Sequence, residues 1–557
     1  MLVAAAATLF HHVAFATTVA SSTEQCTSSA WRNNTSCTAK AYAWPTDVTT
    51  PLACCAACSA DAKCQAWEFA TLHSSSHPSK CHMKEEYGNF ENQQGTTCGG
   101  KAPMPMPPTY PPTTPPKPAL PGSPNIVMFL TDDQDQKLGG SFPQHGGVGP
   151  MPKTRSLMQE SGAMATQWFI HTPICCPSRS ELVSGRYFHN LREEVGAGCM
   201  HIDETRVNNQ SFARYFHENG YTVGMFGKYL NSNPKTPPIG IDAYMTNGGG
   251  TYTSPQFDTT GVSDLGPYYM KDGGWQGKRS DYTTAVVGNT SISWLEKVAK
   301  GTKPFFAYIA PKACHEPFTP ASWYADVWEP EWPAMEPRPV SWNCSFASRV
   351  DHHGVIATNK MISPKCADVR VKSFSRVELH TYTTSHTLLL PPPLSQYVTT
   401  SFKNRWRALM SVDDVIAAVI AKNKELGVHE KTYYFYSSDH GFQLGEFNIL
   451  IDKRQMYDHD IRIHLLVTGP GIKHNSTFDQ FGTQVDLAST WLGLAGIDNP
   501  VSMDGRSIVP LLITDPDAEG IPAPTAAHVK KMAPNGAAAF AAKWRTSAFI
   551  EYVHLSS

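Results

Sequence analysis

The segment TPICCPSRSELVSGRYFHN (172–190) carries the most specific pattern in this sequence. Arg179 follows Cys175 by four residues, so a helix with about 3.6 residues per turn places both side chains on one face. The N-terminus of such a helix favours an anion, and a guanidinium holds anions through paired hydrogen bonds. We therefore predict that Cys175 and Arg179 face a common site. The alternative is a buried pair, Cys175 and Cys176, without a chemical role.

Acidic side chains follow strand-like runs on either side of this segment. NIVMFLT (125–131) leads into Asp132 and Asp133, whose adjacent carboxylates repel one another. A hard divalent cation is the usual remedy, although the acids could instead cap a turn or a helix. A second apolar strand ends in Asp439 and His440. If the two strands lie near each other in the sheet, their ends converge on one cation.

Strand-like and helix-like segments alternate after residue 124. Runs of buried-strand length are NIVMFLT (125–131), MFGKYL (225–230), FFAYIA (305–310), YYFYSS (433–438) and HLLVTG (464–469). Helical patterns lie at 154–162, 209–219, 282–299, 404–426 and 484–495. This alternation predicts an α/β domain with a largely parallel sheet flanked by helices. Functional residues are expected just past the carboxyl ends of its strands.

The segment around Cys175 belongs to a longer series of similarities. Cys175-Cys176-Pro177-Ser178-Arg179, followed by Gly185-Arg186, resembles the sulfatase signature Cys-x-Pro-Ser-Arg. Segments similar to that family follow in its order: GYTVGMFGKYLN (220–231), IAPKACHEPF (309–318), YSSDHGFQLGEF (436–447), IDKRQMYDHDIRIHLLVTGPGI (451–472) and MDGRSIVPLL (503–512). The chain most resembles N-acetylglucosamine-6-sulfatases and their arylsulfatase-like relatives.

The resemblance implies an alkaline-phosphatase-like sulfatase fold over residues 125–557 and a set of site residues. It implies that Cys175 is oxidised to a formylglycine aldehyde, whose hydrate attacks sulfur, and that Arg179 holds this hydrate. One cation, usually Ca²⁺, is implied to bind an oxygen of the modified Cys175 and four side chains: Asp132, Asp133, Asp439 and His440. The carboxylates suit calcium, whereas imidazole prefers softer metals, so His440 is also a candidate to orient the nucleophile.

The resemblance further implies how the sulfate is held. Lys228 and Lys453 match the family's sulfate-binding lysines, which act as point charges. His315 matches a histidine that protonates the leaving alcohol or holds the sulfate. Taken alone, each of these side chains could instead be an exposed surface residue. Many members have histidine two positions after the first lysine, where this chain has Leu230; Asn231 is a candidate in its place.

These residues imply an enzyme that removes sulfate from a sugar, with N-acetylglucosamine 6-O-sulfate in a sulfated polysaccharide as the expected substrate. The formylglycine-generating machinery is an implied partner. One alternative is an arylsulfatase with another substrate range. Another is a phosphomonoester or phosphodiester hydrolase of the same superfamily, which would use Ser or Thr with zinc in place of Cys175. A third is an inactive carbohydrate-binding homologue.

Composition and charge exclude other classes. The chain has 557 residues, of which 41% are hydrophobic and 17% charged, as in a folded protein with more than one domain. Its 46 basic and 48 acidic residues leave a net charge of −2, so we expect no nucleic-acid partner. We also expect no membrane span, because no stretch is long and apolar enough.

The N-terminal part has its own cysteine chemistry. Eight of the 14 cysteines lie between Cys26 and Cys98, which predicts a small disulfide-rich domain at 26–100. The stretch CCAACSADAKCQAWEF (54–69) resembles a PAN/apple-like module, which implies a glycan or protein ligand; a stapled cap without a ligand is the alternative. Residues 101–124 contain 11 prolines and predict a semi-rigid linker or, alternatively, a docking ligand for a proline-binding domain.

Several features point to the secretory pathway. Residues 1–20, MLVAAAATLFHHVAFATTVA, predict a signal peptide, with a disordered N-terminus as the alternative. Asn-x-Ser/Thr triplets that could carry glycans occur at Asn33, Asn34, Asn209, Asn289, Asn343 and Asn475. We expect a secreted or lysosome-like glycoprotein.

Two stretches depart from the family pattern. Residues 346–398 form an insertion without clear periodicity, which is either a long surface loop or, over 361–395, retained non-coding sequence. Within it, PPP (391–393) is expected to break any element. WRTSAFIEYVHLSS (544–557) resembles the start of the family's small C-terminal antiparallel sheet, which we expect to be truncated here.

Overall fold

The chain divides into two compact units, Met1–Pro111 and Pro112–Ser557, and this boundary falls within the predicted linker. The computed structural model describes residues 32–37, 41–43, 45, 48–61, 63–64, 66–70, 81–85, 90–100, 114–136, 149–191, 202–231, 237–263, 265, 282–327, 392–446 and 451–551. The predicted signal peptide and the expected insertion up to residue 391 lie outside the described residues. Within those ranges, no helix has both the length and the apolar character needed to cross a membrane.

The first unit is a small antiparallel sheet stapled by disulfides. Its strands, β1 (Arg32–Cys37), β2 (Ala41–Ala43), β3 (Ala66–Ala70), β4 (Cys81–Lys84) and β5 (Phe90–Gly100), are arranged in the order β1-β5-β3-β4-β2. Helix α1 (Pro51–Ala60) carries Cys54 and Cys58, which form disulfides with Cys81 and Cys64. The disulfide-rich character of this unit is confirmed, whereas its likeness to a PAN/apple-like module stays a prediction.

The second unit contains the remaining strands. They are β6 (Asn125–Thr131), β7 (Ala163–Ala165), β8 (Trp168–Phe169), β9 (Thr222–Lys228), β10 (Ala243–Asn247), β11 (Asp258–Thr260), β12 (Phe305–Ala310), β13 (Thr432–Ser438), β14 (Arg462–Ile463), β15 (Leu465–Thr468), β16 (Ser476–Phe478) and β17 (Gly482–Thr483). The central sheet has the order β11-β10-β9-β12-β6-β13-β15-β7-β16, and a small sheet has the order β14-β8-β17.

The middle of the central sheet is parallel. Strands β10, β9, β12, β6 and β13 run in one direction, whereas β11 and β15 pair antiparallel to it. The predicted α/β fold with a mostly parallel sheet is therefore confirmed. Because the carboxyl ends of parallel strands meet at one edge, the residues after β6, β9, β12 and β13 come together.

Helices cover both faces of this sheet. They are α2 (Pro152–Thr154), which a π-helix over Arg155–Gln159 continues, α3 (Cys175–Ser184), α4 (Glu204–Asn209), α5 (Phe212–Glu218), α6 (Thr283–Val298), α7 (Pro392–Glu425), α8 (Asp458–Ile461), α9 (Asp486–Leu494), α10 (Val509–Leu512), α11 (Ala523–Met532) and α12 (Ala537–Ala542). Ile126 and Met128 of β6 share a core with residues of α3, α5 and α9. Val127 and Phe129 share a second core with residues of α6 and α7. Burial on both faces explains why β6 is a continuous apolar run.

Three predicted boundaries are corrected by the structure. The predicted helix 209–219 begins only at Phe212, because Asn209 is the last residue of α4 and Ser211 has extended backbone angles as the N-cap of α5. The predicted helix 404–426 begins at Pro392, inside the expected insertion, since proline is tolerated in the first turn of a helix. Residues 544–551 contain no strand; the Glu551 N–H instead donates to the carbonyl oxygen of His171 at 3.0 Å.

We expect Gly227→Ala to destabilise the second unit strongly. Gly227 has a φ of 100°, and a Cβ at this position would lie 2.1 Å from the carbonyl oxygen of Ala310 in β12. Gly427 is the matched control, because its φ is 67° but nothing lies within 4 Å of an added Cβ.

Urea unfolding measures both variants. Gly427→Ala should cost about 1–2 kcal/mol, the penalty of a left-handed alanine. Gly227→Ala should cost clearly more, because β9 or β12 must also shift. Equal losses in the two variants would contradict the close approach of these strands.

Candidate active site

Helix α3 begins at the sheet edge where the parallel strands end. Cys175 is its first residue and is only 2% exposed. No side chain caps this helix, and backbone amides at such a helix start favour an anion. The hydroxyl of Ser178 donates to the carbonyl oxygen of Asp439, which ties the first turn of α3 to the end of β13. The fold thus holds Cys175 against the carboxyl end of the sheet.

Arg179 connects the helix to two strands. Its Nε donates to Asp439 Oδ2 at 2.8 Å, and its Nη1 donates to the carbonyl oxygen of Lys228 at 2.6 Å. Its Nη2 lies 3.7 Å from Asp132 Oδ1 and makes no hydrogen bond although it is buried. Burial opposes the charge of Arg179, but Asp439 and Asp132 raise its pKa. Arg179 is therefore a fully buried cation with one donor left for another partner.

Two lysines meet the carboxylates that follow β6. Lys228 Nζ lies 2.7 Å from Asp132 Oδ2, and Lys453 Nζ lies 2.8 and 2.9 Å from the two oxygens of Asp133. Burial alone would lower the pKa of each lysine, yet Asp132 raises that of Lys228 and Asp133 raises that of Lys453. Both ammonium groups stay charged. The exposed-surface alternative is wrong for both, since they are 2% and 9% exposed.

Asp439 and His440, which follow β13, lie in the same cluster as Asp132 and Cys175. Burial and, second, the negative charge of Asp132 raise the pKa of Asp439 to about 6. A bound cation would relieve the repulsion between these two carboxylates. His440 Nδ1 lies 2.8 Å from the carbonyl oxygen of Gly441, which assigns the proton to Nδ1. Its Nε2 lies 3.3 Å from Cys175 Sγ and 3.4 Å from Asp133 Oδ1. A histidine held in this way presents a metal-binding nitrogen.

The donor set fits a divalent cation. Potential ligand atoms lie within 4.8 Å of one another in two overlapping groups, Asp132, Asp133, Cys175 and His315, and Asp132, Cys175, Asp439 and His440. Three buried carboxylates favour a hard, oxygen-seeking ion such as calcium. Asp132 also lies 3.9 Å from Cys175 through its Oδ1, so one cation could contact both the carboxylates and an oxygen at position 175.

His315 stands at the opening of this cluster. Its Nδ1 lies 2.8 Å from the carbonyl oxygen of Glu316, and its Nε2 lies 3.5 Å from Lys453 Nζ and 3.8 Å from Asp133 Oδ2. The side chain is 26% exposed, which is the largest exposure among the nine predicted site residues. Burial opposes its protonation, but Asp133 raises its pKa. His315 can therefore carry a proton where a substrate would enter.

The electrostatic field at Cys175 favours an anion. Burial alone would raise the pKa of its thiol, but the ammonium groups of Lys228 and Lys453 lower it well below the ordinary value. The neighbouring thiol of Cys314 shows the opposite effect, because burial raises its pKa to about 12. Negative charge is stabilised at the start of α3 and not throughout the surrounding core.

The structure brings all nine predicted site residues to this edge. Leu230 is fully buried in the core that contains α3, so the position that is often histidine is apolar here. Asn231 is exposed, and its backbone N–H donates to Cys176 Sγ at 3.2 Å. Cys176 therefore has a packing role beside the site.

Two further cations were missed by the sequence reasoning. Lys312 is 8% exposed, and its Nζ donates to the carbonyl oxygen of Gly250 at 2.8 Å beside Lys228. Arg405 donates to the carbonyl oxygen of Asp133 at 2.6 Å and to Asp135 Oδ1 at 2.9 Å, which fixes the turn after β6. Lys312 lies three residues before His315, in the segment IAPKACHEPF (309–318). Arg405 lies on α7, and no local sequence pattern indicates its contact with Asp133.

Comparison with known proteins identifies the family of the chain. The chain matches the sulfatase family over residues 124–497. Because this match covers more than half of the chain, the chain belongs to the sulfatase family.

Individual relatives cover the same region. The chain is 33% identical over 402 residues to a putative extracellular sulfatase Sulf-1 homolog of Caenorhabditis elegans, covering 70% of this chain and 49% of that protein. It is 30% identical over 400 residues to N-acetylglucosamine-6-sulfatase of Homo sapiens, covering 70% and 64%. The chain thus spans about half to two thirds of the length of these curated relatives.

A solved structure shares the fold. It is described as a complex with its substrate D-glucosamine-2-N,6-O-disulfate and is 21% identical to this chain, with a TM-score of 0.52. The match covers 70% of this chain and 80% of that chain. At this identity the likeness shows the fold alone.

We expect Asp133→Asn to weaken Ca²⁺ binding by more than about tenfold, because even residues that only support metal ligands contribute that much. The rise in melting temperature on adding Ca²⁺ measures the effect, since a ligand of the folded state stabilises it by mass action. Asp414→Asn is the control, because Asp414 pairs with Lys153 at 2.5 Å on the surface. An unchanged Ca²⁺ response in Asp133→Asn would exclude this carboxylate as a ligand.

Proposed function

We propose that this protein hydrolyses sulfate esters of a sugar, through Cys175 after its oxidation to formylglycine and with a bound Ca²⁺. The observation that carries the proposal is the position of Cys175, at an uncapped helix start between two buried ammonium groups and beside His440. A formylglycine hydrate at this position would supply a nucleophilic oxygen, and a cation held by Asp132, Asp133 and Asp439 would withdraw charge from the sulfate.

The charges of the chain suit a sulfate monoester. Such an ester is an anion whose sulfur is shielded by oxygens, so the enzyme must neutralise charge before a nucleophile approaches. Lys228 forms an ion pair with Asp132, and Lys453 forms one with Asp133. Lys312 is a third buried lysine beside them. The unpaired Nη2 of Arg179 can donate to an oxygen at position 175. Lys228 and Lys453 thus place positive charge where Cys175 lies.

His315 is the proposed proton donor to the leaving alcohol. It is the most exposed of the site histidines, with 26% of its side chain accessible, and its Nε2 faces Lys453 and Asp133. Asp133 favours its protonated form. His440 cannot easily fill this role, because it is fully buried and its Nδ1 is engaged by Gly441. We therefore assign His440 to holding the cation or the nucleophile.

The proposed substrate is N-acetylglucosamine 6-O-sulfate in a sulfated polysaccharide. This rests on the relative named N-acetylglucosamine-6-sulfatase. A route through the secretory pathway agrees with the disulfides of the first unit. The alternative of a phosphate-ester hydrolase is expected to have Ser or Thr at position 175, where this chain has cysteine.

The mass of the tryptic peptide 156–179 tests the modification. In protein from a host with formylglycine-generating activity, fragmentation should place an aldehyde at residue 175 and an intact thiol at residue 176. The neighbouring Cys176 is an internal control, because it is equally buried but its Sγ accepts the Asn231 N–H.

Activity on N-acetylglucosamine 6-sulfate completes the test. Cys175→Ala should abolish turnover, since it removes the nucleophile, whereas Cys176→Ala should keep most of it. An unmodified Cys175 in the active preparation, or full activity in Cys175→Ala, would overturn the proposed mechanism.

A further inference from the structure

We propose a second metal site, for zinc, formed by His171, His189 and Glu551. Each of these residues offers a ligand atom, and the three atoms lie within 4.8 Å of one another. None of them belongs to the catalytic cluster, and the proposal does not depend on the proposed hydrolysis. His171 lies in the loop before α3, His189 follows that helix, and Glu551 comes from the C-terminal part of the described chain.

His171 has the arrangement of a supported metal ligand. Its Nδ1 lies 2.6 Å from Glu181 Oε1. The same carboxylate oxygen accepts from the Thr172 hydroxyl at 3.0 Å and from the Phe188 N–H at 2.9 Å, so it is held as an acceptor. Nδ1 therefore carries a proton, and the lone pair of the neutral ring is on Nε2. Burial lowers the pKa of His171 but the charge of Glu181 raises it, so zinc would compete with a proton for Nε2. Zinc-binding histidines commonly have a carboxylate on the other ring nitrogen in this way.

The second ring nitrogen of His171, Nε2, is a buried atom that lacks a partner and could bind a ligand. The residue is fully buried, and its Nε2 makes no hydrogen bond. A buried polar atom without a partner costs free energy, and such atoms are rare in native proteins. The ring centroids of His171 and His189 are 5.8 Å apart. A metal between the two rings would satisfy this nitrogen.

Glu551 and His189 complete the cluster from the other side. Glu551 Oε1 accepts from the His189 backbone N–H at 3.0 Å and lies 3.1 Å from His189 Nδ1. The Glu551 backbone N–H donates to the carbonyl oxygen of His171 at 3.0 Å, so main chain and side chain both anchor it here. The His189 side chain is 38% exposed and that of Glu551 is 11% exposed, which leaves an approach from solvent.

The chemistry of the ligands favours zinc over calcium. Two imidazoles and one carboxylate suit a borderline-soft ion, whereas calcium prefers oxygen ligands only. Ligand atoms on a tetrahedral zinc are about 3.4 Å apart, so small side-chain rotations from the observed spacing suffice. Tyr187 and Phe549 pack against His171, with ring centroids 4.4 and 5.7 Å away, and limit access of water to the site.

Zinc at this site would act as a structural clamp. It would join the segment around Glu551 to the loop and helix that position Cys175, because Glu181 and Cys175 both belong to α3. It would not contact the reacting groups of the proposed hydrolysis.

Zinc titration of the chelator-treated, full-length protein tests the site. In the Cys175→Ala/His440→Ala background, which removes the thiol and the imidazole of the catalytic cluster, calorimetry with Zn²⁺ alone should show one zinc per chain with micromolar or tighter affinity. His189→Gln and Glu551→Gln should each lower that affinity by about a hundredfold, since each loses a ligand.

His217→Gln is the matched control. His217 is 37% exposed and lies 3.7 Å from a carboxylate oxygen of Asp242, so it resembles His189 without the other two ligands. Its zinc affinity should be unchanged, and circular dichroism should show that all variants are folded. Absence of zinc binding in the Cys175→Ala/His440→Ala background, or unchanged affinity in both His189→Gln and Glu551→Gln, would overturn the proposal.

Discussion

The structure depends on three carboxylates buried together at the carboxyl edge of a parallel sheet. Asp132, Asp133 and Asp439 are fully buried, and their repulsion has to be balanced by positive charge. Arg179 supplies part of it and in doing so bonds α3 to β9 and β13. The same pairs that balance the charge thus determine where Cys175 lies.

This balance links stability with chemistry. Removing one partner of a buried ion pair typically costs about 3–5 kcal/mol, because the other charge is left without compensation. Lys228 and Lys453 are therefore needed for folding of the cluster as well as for attracting an anion. A sulfate ester would meet cations that are already ordered by their contacts with Asp132 and Asp133. Such preorganisation is the main source of electrostatic catalysis.

Local sequence pattern predicted those parts of the site that are set within one element. The spacing of Cys175 and Arg179 is helical, and Asp132, Lys228 and Asp439 lie at the ends of apolar strands, so their meeting follows from a parallel sheet. Arg405 was not predicted, because it reaches Asp133 across 272 residues of sequence. The start of α7 was missed because three prolines suggested a break, although proline also begins helices.

The cluster of His171, His189 and Glu551 could not be predicted from the sequence either. Its members come from two ends of a helix and from the C-terminal part of the described chain, and none has a metal-binding spacing in sequence.

The most direct measurement of the central claim is the ratio of kcat/KM for N-acetylglucosamine 6-sulfate and N-acetylglucosamine 6-phosphate, with the formylglycine-containing protein in Ca²⁺. A formylglycine-dependent sulfatase should turn over the sulfate at least about tenfold more efficiently, which is about 1.4 kcal/mol of transition-state stabilisation. Equal or greater efficiency on the phosphate would contradict the account.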